Sequence, residues 1–532
     1  MKVAIAANFV VEPVQAPLVF CLEKVGLPVH PHFAPFDQLV QQLLDPAGAF
    51  GGQSQLGIIF LQLERWFSTE TESRTDERVM AQLFALVDAL RAARSRSATT
   101  FIILLCPVSP EKRHLRAIAA AEAELRLRLG AVLDIDVVGT DEVQRFYPAE
   151  HYHALFDPYA DRLAQIPYSN LGFATLGTMA ARRIHCHVSQ QRKVIVLDCD
   201  DTLWAGSAGE DGCAAVRVTS ERAALHEFMI KQTEVGRLLC VCSKNDVSTI
   251  MRVFDRDTKM RRLRDHVVAW RINWEPKADN MRSLSEELSI SLNSFIFLDN
   301  DRFECEAIRA LLPEVLTLQL PTEESAFANF LKNVWVFDSK PATREDENRL
   351  LYYQQNAARE KAGADSLSMD DFIASLQLEV DFGSLRESDL PRAVQLTQRT
   401  NQFNLNGIRR TAAELLAMTQ CGGRGITVSA RDRFGDYGMV GLIVYSISGH
   451  SLVVETLLLS CRALGKGLER RVAAYLTNEA RASAAGEIVF RYRTLPRNAP
   501  IRSFLAALGA TPNAEKLFFV TLDRSEPCRH LR

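Results

Sequence analysis

Val194, Ile195, Val196 and Leu197 form an unbroken apolar run that ends abruptly in Asp198, Cys199, Asp200, Asp201 and Thr202. A short aliphatic run with no polar alternation is the pattern of a strand buried on both faces. Such a strand calls for a parallel sheet covered by helices. Sheets of that kind hold ligands at the carboxyl ends of their strands, where these acids fall. Two carboxylates one residue apart at such an end suit a hard cation and phosphoryl chemistry. One can attack phosphorus while the other handles the proton.

At 532 residues the chain exceeds a single core, so two to four domains are expected. A net charge of −3 gives no global signal for nucleic-acid or membrane binding. No apolar run reaches the ~18 residues of a membrane span. The opening MKVAIAANFVVEP meets polar Asn8 early and is expected as a first strand rather than a signal peptide. Eleven cysteines, an odd count with no CxxC pair, indicate neither a zinc site nor a disulfide framework. A cytoplasmic setting is expected.

The pattern divides into blocks. In residues 1–185, the runs VAIAANF, LGIIFLQL and TTFIILLCPV alternate with helical segments such as VMAQLFALVDALRAA, which argues for an α/β domain. Residues 186–340 repeat the alternation with VIVLDCD, LLCVCSKND, SFIFLDND and VLTLQLP. The polar stretch at 341–364 is expected as a linker helix. Residues 365–532 hold five strand-like runs with two interleaved helices, a mixed α+β pattern.

The central block carries the DxDxT signature of the haloacid dehalogenase (HAD) superfamily, and its later strand ends supply the remaining parts in order. Asp198 is expected as nucleophile and magnesium ligand, and Asp200 as general acid/base whose carbonyl also reaches the metal. Thr202, Ser243 and Lys277 are expected at the phosphate, with Asp299 and Asn300 completing the cup for Mg2+. The last motif usually carries two adjacent acids. Here it reads Asp299, Asn300, Asp301, with the Asn300 carbonyl or Asp301 as substitutes. About forty residues separate Asp198 from Ser243 and about thirty separate Ser243 from Lys277, too few for a large cap domain. WAGSAGEDG is expected as a small flap over an open site.

LDCDDTLWAG, VCSKND, NWEPKADN, RTNQFNLNGIRRT, DRFGDYGMVGLIV and LLLSCRALGKGLE occur in this order. Together they resemble the FkbH-like glyceryl transferase/phosphatases of polyketide-type pathways. The resemblance implies an enzyme that takes 1,3-bisphosphoglycerate, removes its phosphates and loads glyceryl onto the phosphopantetheine thiol of an acyl carrier protein. The typical motif has Asn where this chain has Asp201, and Gly where it has Ala205. The resemblance also implies a covalent role for Cys199, whose thiolate would hold glyceryl as a thioester. Physical chemistry opposes that role. Alternation at a strand end turns Cys199 away from Asp198 and Asp200, and flanking carboxylates raise its pKa. Direct attack by the carrier thiol is the other route.

Arg462, Gly465 and Gly467 after VVETLLLS resemble the RxxGxG loop of the GNAT acyltransferase fold, and Asn498 resembles its second signature. The resemblance implies binding of coenzyme A or of a carrier's pantetheine arm. Glu455 is a candidate base for amine acetylation. QFNLN at 402–406 and RFGDYG at 433–438 are expected as contact surface or hairpin turns. The first block resembles the SGNH-hydrolase type, but Ala6, Ala7 and Asn8 follow its first strand where that fold needs Ser, so it is expected to be non-hydrolytic. His151 and His153 lie in a turn-like stretch. His185, Cys186 and His187 lack a nearby third or fourth metal ligand.

The expected architecture is an SGNH-like α/β domain, a HAD Rossmann-like parallel sheet with a minimal cap, and a GNAT-like α+β domain. The first functional reading is glyceryl transfer to an acyl carrier protein, with no nucleic-acid or membrane partner. The second is a magnesium-dependent phosphatase of a small metabolite joined to an independent GNAT acyltransferase. The third is a carrier-protein scaffold without turnover, which only Asn300 supports.

Overall fold

The computed structural model describes residues 1–51, 56–67, 72–97, 99–112, 116–130, 132, 134–256, 258–339, 351, 355, 369–460, 463–495, 498–512 and 518–521. The expected linker at 341–364 lies outside the described residues except for Leu351 and Gln355. Two compact units result, Met1–Gln190 with Lys332–Lys340, and Gln191–Leu331 with Pro341–Arg532. Among the described residues, no helix is long and apolar enough to cross a membrane.

In the first unit, β1 (Lys2–Ala7), β2 (His30–Phe33), β3 (Leu56–Leu61), β4 (Thr100–Leu105) and β5 (Ile135–Val138) form a parallel sheet in the order β2-β1-β3-β4-β5. The three apolar runs supply its centre, and all six residues of β3 are buried. The edge strands β2 and β5 alternate with exposed or half-buried positions and lack a run. The helix Asn170–Val188 packs Leu176, Met179, Ala180 and Ile184 into one face of the core. Arg182 on that helix is 2% exposed and makes a bidentate pair with Asp338, both contacts 2.6 Å. Residues after the central block thereby complete the first unit.

The second unit opens with another parallel sheet: β6 (Val194–Leu197), β7 (Leu238–Ser243), β8 (Val267–Ile272), β9 (Phe295–Asp299) and β10 (Leu316–Gln319), in the order β10-β9-β6-β7-β8. Val194, Ile195, Val196 and Leu197 are fully buried, each contributing roughly 1.5–3 kcal/mol relative to exposure. The run therefore takes the centre, with β7 and β9 on either side. Between β6 and β7 lie one loop and the helix Ser220–Glu234; between β7 and β8 lie only the short helices Val247–Phe254 and Thr258–Asp265. No cap domain stands over these strand ends among the described residues.

The remaining strands are β11 (Glu379–Ser384), β12 (Phe403–Asn404), β13 (Arg424–Asp432), β14 (Gly435–Ser448), β15 (Ser451–Leu459), β16 (Glu487–Phe490), β17 (Thr511–Pro512) and β18 (Phe518–Thr521). They form a mixed sheet, order β11-β13-β14-β15-β16-β18-β17, in which, among the described residues, only β15 and β16 are parallel. That pair holds register only from Ser451–Glu487 to Val454–Phe490. Beyond it, β12 pairs with Leu458 and Leu459 of β15. The other edge of those two residues is taken by β14, so β12 continues the line of β16.

Candidate active site at the central strand ends

Because β6 lies between β7 and β9, the residues that end these strands share one carboxyl edge. Asp198 follows β6, Ser243 ends β7 and Asp299 ends β9. Lys277 opens the helix Lys277–Glu287 that follows β8, with Pro276 just before it. Its Nζ donates to Asp198 Oδ1 at 2.7 Å and to Asp299 Oδ2 at 2.6 Å. All three side chains are buried. Ser243 is buried in the same group.

Two carboxylates around one ammonium leave an uncompensated negative charge in a desolvated place. Burial raises the Asp198 carboxyl, Lys277 draws it down and Asp299 pushes it up again, for a net rise to about 7. Asp299 is likewise raised, by burial against the pull of Lys277. Burial works against the Lys277 charge, but Asp198 and Asp299 outweigh it and hold the ammonium above its ordinary range. A divalent cation bound here would supply the missing positive charge. Among the described residues, no three His, Cys, Asp or Glu side chains are grouped to cage a metal. Two carboxylates with the rest of the shell left to carbonyl, water and phosphate oxygens is the donor set Mg2+ prefers. The residues present therefore fit Mg2+.

The Asp200 carboxylate accepts hydrogen bonds from Trp204, Ser207, Ala208 and Asn245. The fully buried Thr202 hydroxyl donates to Asn300 Oδ1 at 3.0 Å and accepts from the Asn300 amide at 3.2 Å, tying the first motif to the last. Its single hydroxyl hydrogen is thus committed to Asn300. Asp301 caps the helix Arg302–Leu311, accepting from Phe303 N at 2.7 Å on Oδ1. Asp201 sits at φ 53°, a left-handed conformation that Asn and Asp tolerate, which explains why either residue suits this position. Ala205 is not among the positive-φ residues, so a side chain there meets no backbone strain.

Cys199 is fully buried, and burial, then the Asp198 charge, push its thiol well above the ordinary range. A thiol in that setting is not a thiolate at neutral pH. The flap is a loop whose ends pair through Ala205 N to Arg217 O at 2.8 Å and Arg217 N to Ala205 O at 3.0 Å. Trp274, 75% exposed, follows β8, and Phe303, 76% exposed, follows β9, so large apolar groups flank an open edge. Reading the sequence alone missed Trp204 and Asn245. Their signal lay inside the quoted motifs, six residues after Asp198 and two after Ser243.

The described C-terminal candidates each have partners within their own block. Arg462 lies outside the described residues. Gly465 and Gly467 take φ 73° and 89°, and Gly467 caps the helix Leu468–Ala482. The Gly465 amide already donates to Glu469 Oε1 at 2.8 Å. Asn498 is 1% exposed, donating to Arg493 O at 2.8 Å and Asn404 O at 3.2 Å and accepting from Leu495 N at 2.9 Å. Asn406 Nδ2 donates to Glu455 O at 2.9 Å and Arg491 O at 3.4 Å, bridging β15 and the chain leaving β16. Leu405 N bonds Leu457 O, and Arg493 N bonds Leu405 O. Phe403–Asn406 is therefore a buried filler between separating strands, not contact surface. The Glu455 carboxylate is paired with Arg491 at 2.9 Å.

In the first unit, Asn8 is buried after β1, donating to Gln62 O at 3.0 Å and accepting from Gln62 N at 2.9 Å. Buried Glu64 accepts from Ser109 N at 3.0 Å and Ser109 Oγ at 2.5 Å. Polar groups at these strand ends are thus satisfied by one another. His151 and His153 stack on each other. His187 bonds Asp136, and His185 packs against Trp335, so both have structural partners.

No family model matches the chain, and no curated protein matches it. Among solved structures, it is similar to the N-terminal part of the protein BF1531 from Bacteroides fragilis, which contains a phosphatase domain complexed with Mg. The two are 20% identical over 64% of this chain and 94% of that one, with a TM-score of 0.54. The ribosomal-protein-S18-alanine N-acetyltransferase from Escherichia coli is matched over 28% of this chain and 99% of its own, at 13% identity and a TM-score of 0.22. The first likeness establishes that this chain shares the fold of a protein with a phosphatase domain.

Proposed function

We propose that the centre at Asp198 is a magnesium-dependent phosphoryl-transfer site of HAD type acting on a phosphorylated small molecule. One observation carries the reading: Lys277, after the edge strand β8, bridges Asp198 and Asp299 at 2.7 and 2.6 Å, at the ends of the adjacent strands β6 and β9. Asp198 attacks phosphorus, the bond to the leaving oxygen breaks, and Asp200 gives that oxygen a proton. Asp200 then takes a proton from the water that releases phosphate from Asp198. Ser243 and Lys277 hold the phosphoryl oxygens. Mg2+, held by Asp198 and Asp299 with the Asp200 carbonyl and Asn300, would neutralise charge on the transferring group. Phosphate release from acetyl phosphate with Mg2+, lost in Asp198→Asn, tests this; release that survives in Asp198→Asn refutes it.

A second reading is favoured by the open edge, which leaves room for a group displayed on a macromolecule. In it, the centre takes 1,3-bisphosphoglycerate and delivers glyceryl to the phosphopantetheine thiol of an acyl carrier protein. The buried, proton-bearing Cys199 supports direct attack by the carrier thiol over a glyceryl-enzyme thioester. Intact-mass measurement of the carrier and of the enzyme, with Cys199→Ala alongside, separates the two routes. Phosphate release with no adduct on either protein leaves the metabolite phosphatase.

We read the C-terminal block as GNAT-like in fold. Gly465 and Gly467 support coenzyme A or pantetheine binding there, whereas the Glu469 carboxylate at the same amide and Asn406 in the strand gap oppose it. The N-terminal block is read as an SGNH-like domain without hydrolytic chemistry, its strand ends closed by Asn8, Gln62 and Glu64.

A further inference from the structure

The Asp200 carboxylate is gripped on both oxygens. Oδ1 accepts from Trp204 Nε1 at 2.8 Å and from Ala208 N at 2.9 Å. Oδ2 accepts from Asn245 Nδ2 at 2.9 Å and from Ser207 Oγ at 3.3 Å. These four donors come from three places: the motif loop itself, the flap and the loop after β7.

Each of the two side-chain anchors is itself fixed. Trp204 is fully buried, its ring edge-to-face with Phe254 at 5.6 Å, which in turn is edge-to-face with Trp270 at 5.1 Å. An indole can only donate, so it pins Oδ1 as an acceptor. Asn245 is 4% exposed, and its Oδ1 accepts from Asp246 N at 2.8 Å, which leaves the NH2 face for Asp200. The flap packs directly on this amide. A methyl group added at Gly209 would lie 3.3 Å from both Asn245 amide atoms.

We propose that Trp204 and Asn245 are positioning residues that lock the flap to the second carboxylate, so that flap closure and the aiming of Asp200 are a single event. Elsewhere the flap is held at its far end, where Arg256 donates to Val216 O at 2.7 Å and Cys213 O at 3.3 Å, and at its start, where Gly206 N donates to Asp201 Oδ1 at 2.8 Å; the stretch between, at Ser207 and Ala208, hangs on Asp200. The Asp200 carboxylate is the hub on which Ser207 and Ala208 hang. A flap released from that hub leaves the carboxylate free to swing, and proton removal from the water that releases phosphate from Asp198 then fails more often than binding does. The inference rests on the phosphoryl-transfer reading for its catalytic half and on geometry alone for its flap half.

Trp204→Phe keeps an aromatic ring in the pocket and removes the N–H with the pyrrole half of the indole. Asn245→Ala removes the amide. Full-length wild type and both variants are compared in phosphate release from acetyl phosphate with Mg2+, in melting temperature, and in amide hydrogen exchange of the peptide spanning 205–217. A lost hydrogen bond to a charged group predicts a fall in kcat of about tenfold to a hundredfold, with KM within about twofold. Exchange in the flap should rise about tenfold or more while the melting temperature stays within a few degrees. Wild-type turnover with unchanged kcat and unchanged flap protection in both variants overturns the inference. Flap exchange that rises in the variants of a wild type with no turnover upholds the lock and removes the phosphoryl-transfer reading instead. A fall in kcat matched by a collapse of the melting temperature in both variants reduces the two residues to packing and also overturns it.

Discussion

Removing the divalent cation should make the second unit lose stability as pH rises. Asp198 and Asp299 share the single ammonium of Lys277, so one negative charge is left over when both ionise. Burial, opposed by Lys277 and reinforced by Asp299, moves the Asp198 carboxyl from 3.8 in the unfolded chain to about 7 in the folded one. Between those values the folded state keeps a proton that the unfolded state has lost. Stability from this group is therefore fully present below about pH 4 and is lost as pH climbs towards 7. The loss accumulated by pH 8 is at most about 4 kcal/mol. At ~2 °C per kcal/mol for a unit of this size, the melting transition should fall by up to roughly 8 °C. Magnesium competes with the proton for the same oxygens, so its stabilising increment should be larger near pH 8 than near pH 5. The assay is calorimetric melting of the whole chain in EDTA and in Mg2+ across that range, with Asp198→Asn as reference. Asn cannot ionise, so the variant's cation-free transition should lose the Asp198 share of this slope and lie above wild type near pH 8. A magnesium increment equal at both ends, or a cation-free transition that rises with pH through this window in wild type, refutes the charge count.

Asp136 carries the opposite sign. Burial favours its neutral form, but His187 and Arg183 outweigh it and hold the carboxyl at about 2, so its stabilisation is present above about pH 4 and lost as pH falls towards 2. Asp136→Asn should cost about 3 kcal/mol at pH 7 and little near pH 2 in chemical denaturation. Cys199 should resist iodoacetamide in the folded protein at neutral pH while exposed Cys421 reacts; comparable labelling of both would contradict the burial of Cys199. Asn406→Ala strands the carbonyls of Glu455 and Arg491 and the amide of Ile408, and should destabilise the C-terminal sheet by ~3 kcal/mol while phosphate release at Asp198 persists.

Much of the fold could be read from the chain because its central strands are continuous apolar runs. The strands that escaped notice are mainly the edges β2, β5, β8 and β11, whose burial patterns mix exposed or half-buried positions with buried ones. The residues gathered at Asp198 were also legible, since each ends or follows a strand and strand ends of one parallel sheet share an edge. What escaped was side-chain pairing fixed only in three dimensions. Thr202 and Asn300 lie 98 residues apart and meet through one hydroxyl. Asn498 has the composition of a ligand contact, yet its amide is spent on Asn404 and Arg493. The segment Phe403–Asn406 has the polarity of a turn because two of its four side chains are carboxamides. Burial is tolerated there because the Asn404 carboxamide bonds the Thr400 carbonyl and the Gly407 amide, and that of Asn406 bonds the Glu455 carbonyl and the Ile408 amide.

The pairing of Arg182 with Asp338 bears on how the chain is made. A ribosome that has delivered Gln190 has delivered every strand of the first sheet, yet the helix Asn170–Val188 still carries a guanidinium turned into the interior without its counter-charge. Its partner emerges only after β6 to β10 have been synthesised. The first unit to begin folding thus cannot finish until the next sheet is already out, and a fragment ending at 190 should persist as an incompletely closed species that a peptide carrying residues 332–340 can complete in trans.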